Sequence, residues 1–193
     1  MCPRPTHPTR TAVRDVRQPS LEHIDGILST WEPVIGADYK GYRNHVARMV
    51  AFSLMLRPCT AEEQRKIEIA ACYHDIGIWA ANTMDYLPPS LPPAREHLAV
   101  NALQDWTLEI EQMILLHHKI RPVRNGLSPL VELFRQADLV DFSLGLLKHG
   151  LPATQVNAVK ATFPNAGFHK CLMRRAGPWL LQHPLNPVPM MKW

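Results

Sequence analysis

The feature that most constrains the fold of this chain is an adjacent histidine and aspartate, His74 and Asp75, at the end of an apolar run. The run, Ile67-Glu68-Ile69-Ala70-Ala71-Cys72-Tyr73, predicts a buried helix. An imidazole and a carboxylate in an apolar setting are costly unless they are paired or bind a metal. Neighbouring residues on a helix point about 100° apart, so a metal between them also needs ligands from other helices. The chain must therefore fold so that further polar side chains meet this pair.

The hydrophobic pattern predicts an all-α fold, because no alternating period-2 run of convincing length is present. The clearest helix spans about residues 38–56, where His45 lies on an apolar stripe and faces the core. Thr60-Ala61-Glu62-Glu63 resembles a capping box that opens the helix running to His74. Further helices are predicted over residues 21–31, 93–106, 108–118 and 128–142, with one or two more in residues 152–182, broken at residues 163–167 and at Gly177-Pro178.

Three regions are predicted along the chain. Residues 1–19 are expected to form a flexible basic arm, residues 20–183 a helical domain with its core at about 38–142, and residues 184–193 a proline-rich extended strap. Residues 80–93 are expected to form a long connection, because prolines as dense as those at its end cannot continue a helix.

Composition narrows the class of partner. Of the net charge of +4, most lies in residues 1–20, which hold four arginines against one aspartate. The helical domain is therefore nearly neutral, and no nucleic-acid polymer is expected as a partner. No apolar run reaches the roughly 18 residues of a membrane span, so no membrane partner is expected. The four cysteines lack CxxC spacing and read as reduced thiols of a cytoplasmic protein.

Several histidines and aspartates lie on apolar stripes or at helix ends, where a polar side chain needs a partner. Any one core histidine is more often hydrogen-bonded structure than a ligand, and it is their concurrence that favours a metal site. The candidate ligands are His45, His74, Asp75, His97, His117, His118 and Asp138. His117 shares the apolar face of its predicted helix, which favours it over His118 as the inward ligand.

The spacing of these residues favours converging ligands from a helical bundle, since each step except the adjacent pair is long enough to reach another helix. Mixed imidazole and carboxylate ligands suit Fe, Mn, Zn, Ni or Co. The number of ligands predicts two ions, with Asp75 as a carboxylate bridging two metals roughly 3.5–4 Å apart.

The order H…HD…H…HH…D resembles the HD superfamily over about residues 38–142. The flanks are Tyr42-Arg43-Asn44-His45-Val46-Ala47-Arg48-Met49 and His74-Asp75-Ile76-Gly77. The resemblance implies an HD-domain-like helical bundle around a metal site. It also implies that His45, His74, Asp75 and Asp138 form the basic metal set. His97, His117 and His118 match the extra histidines of dinuclear members, which include HD-GYP phosphodiesterases and diiron oxygenases.

The chain departs from some members of this superfamily. Many phosphodiesterases have a lysine where this chain has Ile78, and the GYP motif is absent. Gly41 stands where some trinuclear members carry a glutamate. These departures argue against hydrolysis of cyclic di-GMP.

The leading expectation is a metal-dependent phosphohydrolase or phosphodiesterase that acts on a small anionic phosphoester or nucleotide through a metal-activated water. Asp75, Asp141 and Lys119 are the candidate catalytic residues, with Asp141 orienting the water or adding a ligand. Arg48, Lys119 and Arg135 are candidates for substrate contact because phosphate recognition favours cations. The alternatives are an HD-type diiron oxygenase acting on a small hydroxylated or phosphonate substrate, and a non-catalytic metal- or ligand-binding protein. A homodimer is a further expectation.

Overall fold

A computed structural model describes residues 18–123 and 126–191, and these residues form helices without any strand. The α-helices are α1 (Leu21–Leu28), α2 (Glu32–Ile35), α3 (Tyr39–Leu56), α4 (Ala61–Tyr73), α5 (Gly77–Ala80), α6 (Leu87–Val100), α7 (Thr107–Leu116), α8 (Pro129–Phe142), α9 (Ala153–Thr162) and α10 (Phe168–Gln182). Short 3₁₀ turns lie at Ser29–Trp31, Gly36–Asp38 and Gln104–Trp106. The prediction of an all-α fold is confirmed.

Helix α3 lies at the centre of the domain, because α4 and α8 pack along it and α1, α9 and α10 touch it as well. Its side chains are buried on nearly every face from Gly41 to Leu54, as expected of a helix surrounded by others. Helix α4 begins at the predicted capping box. The Glu63 N–H donates to Thr60 Oγ1 at 3.1 Å, and the Thr60 N–H donates to the Glu63 carboxylate at 2.8 Å.

The prediction that residues 80–93 form a connection is wrong at its proline-rich end, because α6 begins at Leu87. Pro88 and Pro89 lie in the first turn, where backbone N–H groups have no partner within a helix. Pro92 and Pro93 do lie inside the helix. The start of the helix is held locally, since Ser90 donates to the carbonyl of the N-cap residue Tyr86 through both its N–H (3.0 Å) and its hydroxyl (2.8 Å).

The C-terminal part contains two helices separated at residues 163–167, as predicted, but Pro178 lies inside α10 and does not end it. Residues 184–191 of the predicted strap form turns and bury Met190 against the core. The predicted arm lies almost wholly outside the described residues. None of the described helices combines the length and the apolarity that crossing a membrane requires.

The glycine of the His74-Asp75-Ile76-Gly77 motif allows a close approach between two elements. A Cβ on Gly77 would overlap the Tyr86 carbonyl oxygen and would also press on Ser90 Oγ. The backbone before α6 can therefore lie directly against α5 only because residue 77 has no side chain.

We predict that Gly77→Ala destabilises the metal-free protein by about 1–3 kcal/mol, because the added methyl group forces two backbones apart. The matched control is Gly26→Ala in α1, where an added Cβ meets no atom. That change is expected to be neutral, or to stabilise by up to about 1 kcal/mol, because alanine favours a helix. Denaturant unfolding in the presence of a chelator measures both. Equal effects of the two substitutions would contradict the close approach.

Candidate metal centre

Six of the seven predicted ligands lie together in the interior. Helix α3 supplies His45, the residues after α4 supply His74 and Asp75, the residues after α7 supply His117 and His118, and α8 supplies Asp138. Five of the six are no more than 4% exposed, and His118 is partly buried. Three overlapping groups of them bring potential ligand atoms within 4.8 Å of one another. These residues could hold a metal ion, and their number allows two.

The cluster has two halves joined by two carboxylates. We call His45 and His74 the first half-site, and His117 and His118 the second half-site. Asp75 Oδ2 lies 3.1 Å from His74 Nε2, while its Oδ1 lies 3.6 Å from His117 Nε2. Asp138 spans the same gap, with Oδ1 3.7 Å from His45 Nε2 and Oδ2 3.9 Å from His118 Nδ1. Each carboxylate therefore presents one oxygen to each half-site.

Three of the imidazoles are held by a hydrogen bond at the nitrogen that faces away from the cluster. The Nδ1–H groups donate from His45 to Asp141 (2.6 Å), from His74 to the Ala71 carbonyl (2.8 Å) and from His117 to the Ile114 carbonyl (2.7 Å). Because Nδ1 carries the proton, Nε2 of each neutral ring is left with a lone pair that faces the cluster. Such support is typical of histidines that bind metals.

The inward atoms are poorly satisfied without a cation. His45 Nε2 and His74 Nε2 lie 3.0 Å apart, so their two lone pairs face each other. Among the described residues, the buried atoms Asp75 Oδ1 and His117 Nε2 have no hydrogen-bond partner. Buried polar atoms without partners are rare in folded proteins, because each costs about 1–3 kcal/mol. The residues present therefore fit a divalent metal.

Electrostatics point the same way. Burial lowers the pKa of His45 to about 4, outweighing the opposing effect of Asp141, so the ring is neutral at pH 7. Burial raises the pKa of Asp138 to about 7, helped by repulsion from Asp75 and Asp141 and opposed by His117. A bound cation would relieve the crowding of carboxylates that raises the pKa of Asp138.

Asp141 and Arg48 have different roles from those predicted. The Asp141 carboxylate accepts from His45 Nδ1 and from two nitrogens of Arg48, so it orients a ligand and is turned away from the inner volume. Arg48 is 2% exposed, and its remaining nitrogen donates to the Phe163 and Pro164 carbonyls at 2.9 and 3.2 Å. Every guanidinium nitrogen is thus already committed, which leaves Arg48 unsuited to substrate contact. The pair neutralises itself inside the core, where an unpaired charge would be very costly.

Arg135 is likewise a buried support rather than a substrate contact. It is 3% exposed, pairs with both Glu132 oxygens at 2.7 and 2.8 Å, and donates to the Lys119 carbonyl at 3.0 Å. Glu132 also accepts the Val123 N–H at 2.8 Å. Arg135 and Glu132 together hold the segment that follows His118. Lys119 is partly buried and follows His118 of the second half-site directly in the sequence.

His97 is the predicted ligand that does not join the cluster. It lies half-buried on α6, with its ring centroid 5.5 Å from that of Tyr73, and it lines a surface cavity of about 530 Å³ beside His23 and Arg65. His97 is kept from the cluster because α6 packs against the side of α4 that carries Tyr73. Tyr73 and His74 are neighbours in the chain and face different ways.

Both histidines of the pair after α7 face the cluster, although His117 is the more deeply buried, as predicted. The helix ends at Leu116, so the two rings are not constrained to point 100° apart as they would be inside a helix. Their ring centroids lie 3.9 Å apart.

Gly41 and Ile78 are the two positions named above at which the sequence differs from some HD proteins, and packing constrains both. A Cβ on Gly41 would lie 3.1 Å from both the Ala166 carbonyl oxygen and the Phe168 nitrogen, so a side chain there would require the turn before α10 to move by a few tenths of an ångström. Ile78 is completely buried in the core and therefore adds no cation to the site.

Tyr86 is a site residue that the sequence did not reveal. It lies just before α6, is 3% exposed, and its hydroxyl forms a short hydrogen bond with His118 Nε2. Its position in a loop gives it no periodicity, and its partner lies 32 residues away. Only the fold places them together.

Comparison of the chain with protein-family models, curated proteins and solved structures yields no match. The resemblance to the HD superfamily therefore rests on the quoted motif residues.

We predict that the metal-loaded protein carries two metal equivalents. His117→Ala is expected to remove at least one of them, because the second half-site loses the nitrogen that faces Asp75. His118→Ala is expected to have a milder effect. The matched control is His97→Ala, which is expected to keep both equivalents, since His97 lies outside the cluster. Elemental analysis after anaerobic loading and desalting measures all four proteins. One equivalent at most in the unsubstituted chain, or metal loss in His97→Ala, would contradict this assignment.

We also predict that Arg48→Met destabilises the metal-free protein by about 3–5 kcal/mol, because it leaves Asp141 buried without its cation. Adding Asp141→Leu is expected to recover much of this loss of stability, yet to weaken metal binding by about 10–100-fold through loss of the acceptor for His45. The control is Arg43→Met, which breaks the more exposed pair with Asp25 and is expected to cost at most about 1 kcal/mol. Denaturant unfolding and metal titration give the two readouts. A cost of Arg48→Met no larger than that of Arg43→Met would show that the buried pair is unimportant.

Proposed function

We propose that this protein is a metal-dependent hydrolase of the HD type that cleaves a small phosphoester. The observation that carries the proposal is the pair of facing half-sites, each with two imidazoles, joined by Asp75 and Asp138. Divalent metals held in this way would acidify a water molecule and offset charge on phosphoryl oxygens. The resemblance of the motif residues to the HD superfamily supplies the reaction class, since hydrolysis of phosphoesters is common among its members.

The residues of the chain have separable roles in this proposal. His45, His74, His117 and His118 hold the metal through neutral nitrogens, and Asp75 and Asp138 connect the two halves. Asp141 keeps the His45 ring in one orientation and one tautomer, because it accepts the Nδ1 proton. Burial alone would raise the pKa of Asp141, but its hydrogen bonds with His45 and then with Arg48 hold that pKa well below its usual range, so the carboxylate stays ionised in the core.

Substrate access is proposed at the edge formed by His118, the most exposed ligand, with 15% of its side chain accessible. Phe142 is half-exposed beside it, with ring centroids 6.3 Å apart. Lys119 follows His118 directly and is the proposed contact for a phosphate oxygen. An apolar ring beside a cation suits a small organic phosphate better than a long polymer.

The alternative reading is a diiron oxygenase, and the near-complete burial of five ligands favours it. A site that excludes water protects reactive chemistry and suits O₂ as a co-substrate. The commitment of Arg48 and Arg135 to internal partners also reduces the number of cations that a phosphate could meet. The ligand set itself suits either reaction.

We predict that protein loaded anaerobically with manganese, cobalt or nickel releases phosphate or nucleoside from a panel of phosphate monoesters, diesters and nucleotides. Asp75→Ala is expected to empty the site and abolish turnover, because both half-sites lose a shared ligand. The matched control is Asp25→Ala, a surface aspartate paired with Arg43, which is expected to keep full activity.

Two outcomes of the same assay would overturn the proposal. Activity with iron alone that consumes O₂, with no turnover by the other metals, would identify the oxygenase. Stable binding of two metals with no turnover under either condition would identify a non-catalytic metal-binding protein.

A further inference from the structure

The four imidazoles of the cluster differ in the hydrogen-bond partner of the ring nitrogen that faces away from the cluster. His45, His74 and His117 donate Nδ1–H to a carboxylate or to a backbone carbonyl, and these oxygens can only accept. Their tautomers are therefore fixed by the partner. His118 is reversed in the site, with Nε2 outward to the Tyr86 hydroxyl and Nδ1 inward towards Asp138 Oδ2 at 3.9 Å.

A phenol can either donate or accept, so the direction of the Tyr86–His118 hydrogen bond decides whether His118 can bind metal. If the hydroxyl accepts from Nε2–H, the lone pair of Nδ1 faces the second half-site. If the hydroxyl donates to Nε2, Nδ1 carries a proton and cannot be a ligand. His118 is thus the ligand whose tautomer its outer partner can change.

The position of Tyr86 is fixed by the loop that contains Asp75. The Gly77 N–H donates to Ser90 Oγ at 3.0 Å, and Ser90 Oγ donates to the Tyr86 carbonyl at 2.8 Å. The lack of a Cβ on Gly77 lets this carbonyl approach. A short path of contacts therefore runs from the bridging carboxylate to the outer nitrogen of His118.

The geometry of the second half-site favours one direction of the bond. His118 Nδ1 faces Asp138 Oδ2 inside the cluster, where a metal ligand needs a nitrogen without a proton, so the proton of the neutral ring has to lie on Nε2. The Tyr86 hydroxyl is the hydrogen-bond partner of Nε2, and it therefore has to accept that proton.

We infer that Tyr86 is a positioning residue whose hydroxyl accepts the His118 Nε2 proton and thereby makes Nδ1 available to the second half-site. The first half-site has no such dependence, because Asp141 and a backbone carbonyl hold its rings. The two metals then bind with different sensitivity to one phenol. This inference rests on the metal centre of the proposed function and extends it to the order of binding.

The test is a titration of the metal-free protein with Co²⁺, followed by visible absorption and by calorimetry. The unsubstituted protein is expected to bind two equivalents. Tyr86→Phe is expected to bind the first with unchanged affinity and the second about 10–100-fold more weakly, as is usual when the partner of a ligating histidine is lost. The matched control is Tyr73→Phe, a buried tyrosine that precedes His74 but faces away from the cluster, and it is expected to behave as the unsubstituted protein.

A spectroscopic readout separates positioning from a general structural effect. Long-range ¹H–¹⁵N spectra of histidine rings report which nitrogen carries the proton, and His118 is expected to change from the Nε2–H form to a mixture in Tyr86→Phe. Unchanged affinity for both equivalents, or equal weakening of both with no tautomer change, would overturn the inference while leaving the metal centre in place. Absence of Co²⁺ binding by the unsubstituted protein would overturn the metal centre itself.

Discussion

The fold depends on keeping together six polar side chains, five of them almost completely buried, whose inner atoms crowd one another. Two imidazole nitrogens lie 3.0 Å apart, and two carboxylates lie between the half-sites. Such a group is stable only if each ring is anchored from behind and the crowded centre is neutralised. Helices α3, α4, α7 and α8 must therefore meet at one place, and the rest of the chain supplies anchors for them.

Anchoring of the first half-site comes partly from the C-terminal segment. Arg48 donates to the carbonyls of Phe163 and Pro164, and Asn44 donates to the same Pro164 carbonyl at 2.8 Å. The ring of Phe168 stacks on His45, with centroids 4.2 Å apart and an angle of 15° between the planes. The turn between α9 and α10 is thus part of the support of a ligand more than 100 residues earlier.

Sequence patterns predicted those parts of the site whose signal is local. The stripe of α3 faced His45 inward, and the adjacent His74 and Asp75 marked the end of α4. The roles of Arg48 and Arg135 could not be predicted. The partner of Arg48, Asp141, lies 93 residues away and is brought to it only by the packing of α3 against α8. The partner of Arg135, Glu132, is close in sequence, but the sequence does not show that their side chains pair. The prediction of His97 as a ligand was wrong for a related reason. The face of α6 that packs against α4 depends on the contacts that hold the first turn of α6, and sequence periodicity does not give those contacts.

The burial of these arginines changes how an anionic substrate can be recognised. An arginine beside a ligand in sequence suggests phosphate contact, but in this fold Arg48 and Arg135 are already paired, and freeing Arg48 would leave the Asp141 carboxylate unpaired in the core. That cost greatly exceeds the gain from one exposed charge pair. In the proposed function, an anionic substrate would therefore meet groups at the edge of the cluster, around His118 and Phe142. A charged group that reached this edge would meet the second half-site, where the Tyr86 hydroxyl holds the His118 ring. A hydroxyl can donate or accept, so it fixes a ring less firmly than the carboxylate and backbone carbonyls that hold the other three rings. The same edge would thus combine substrate access with the ligand that is most easily reoriented.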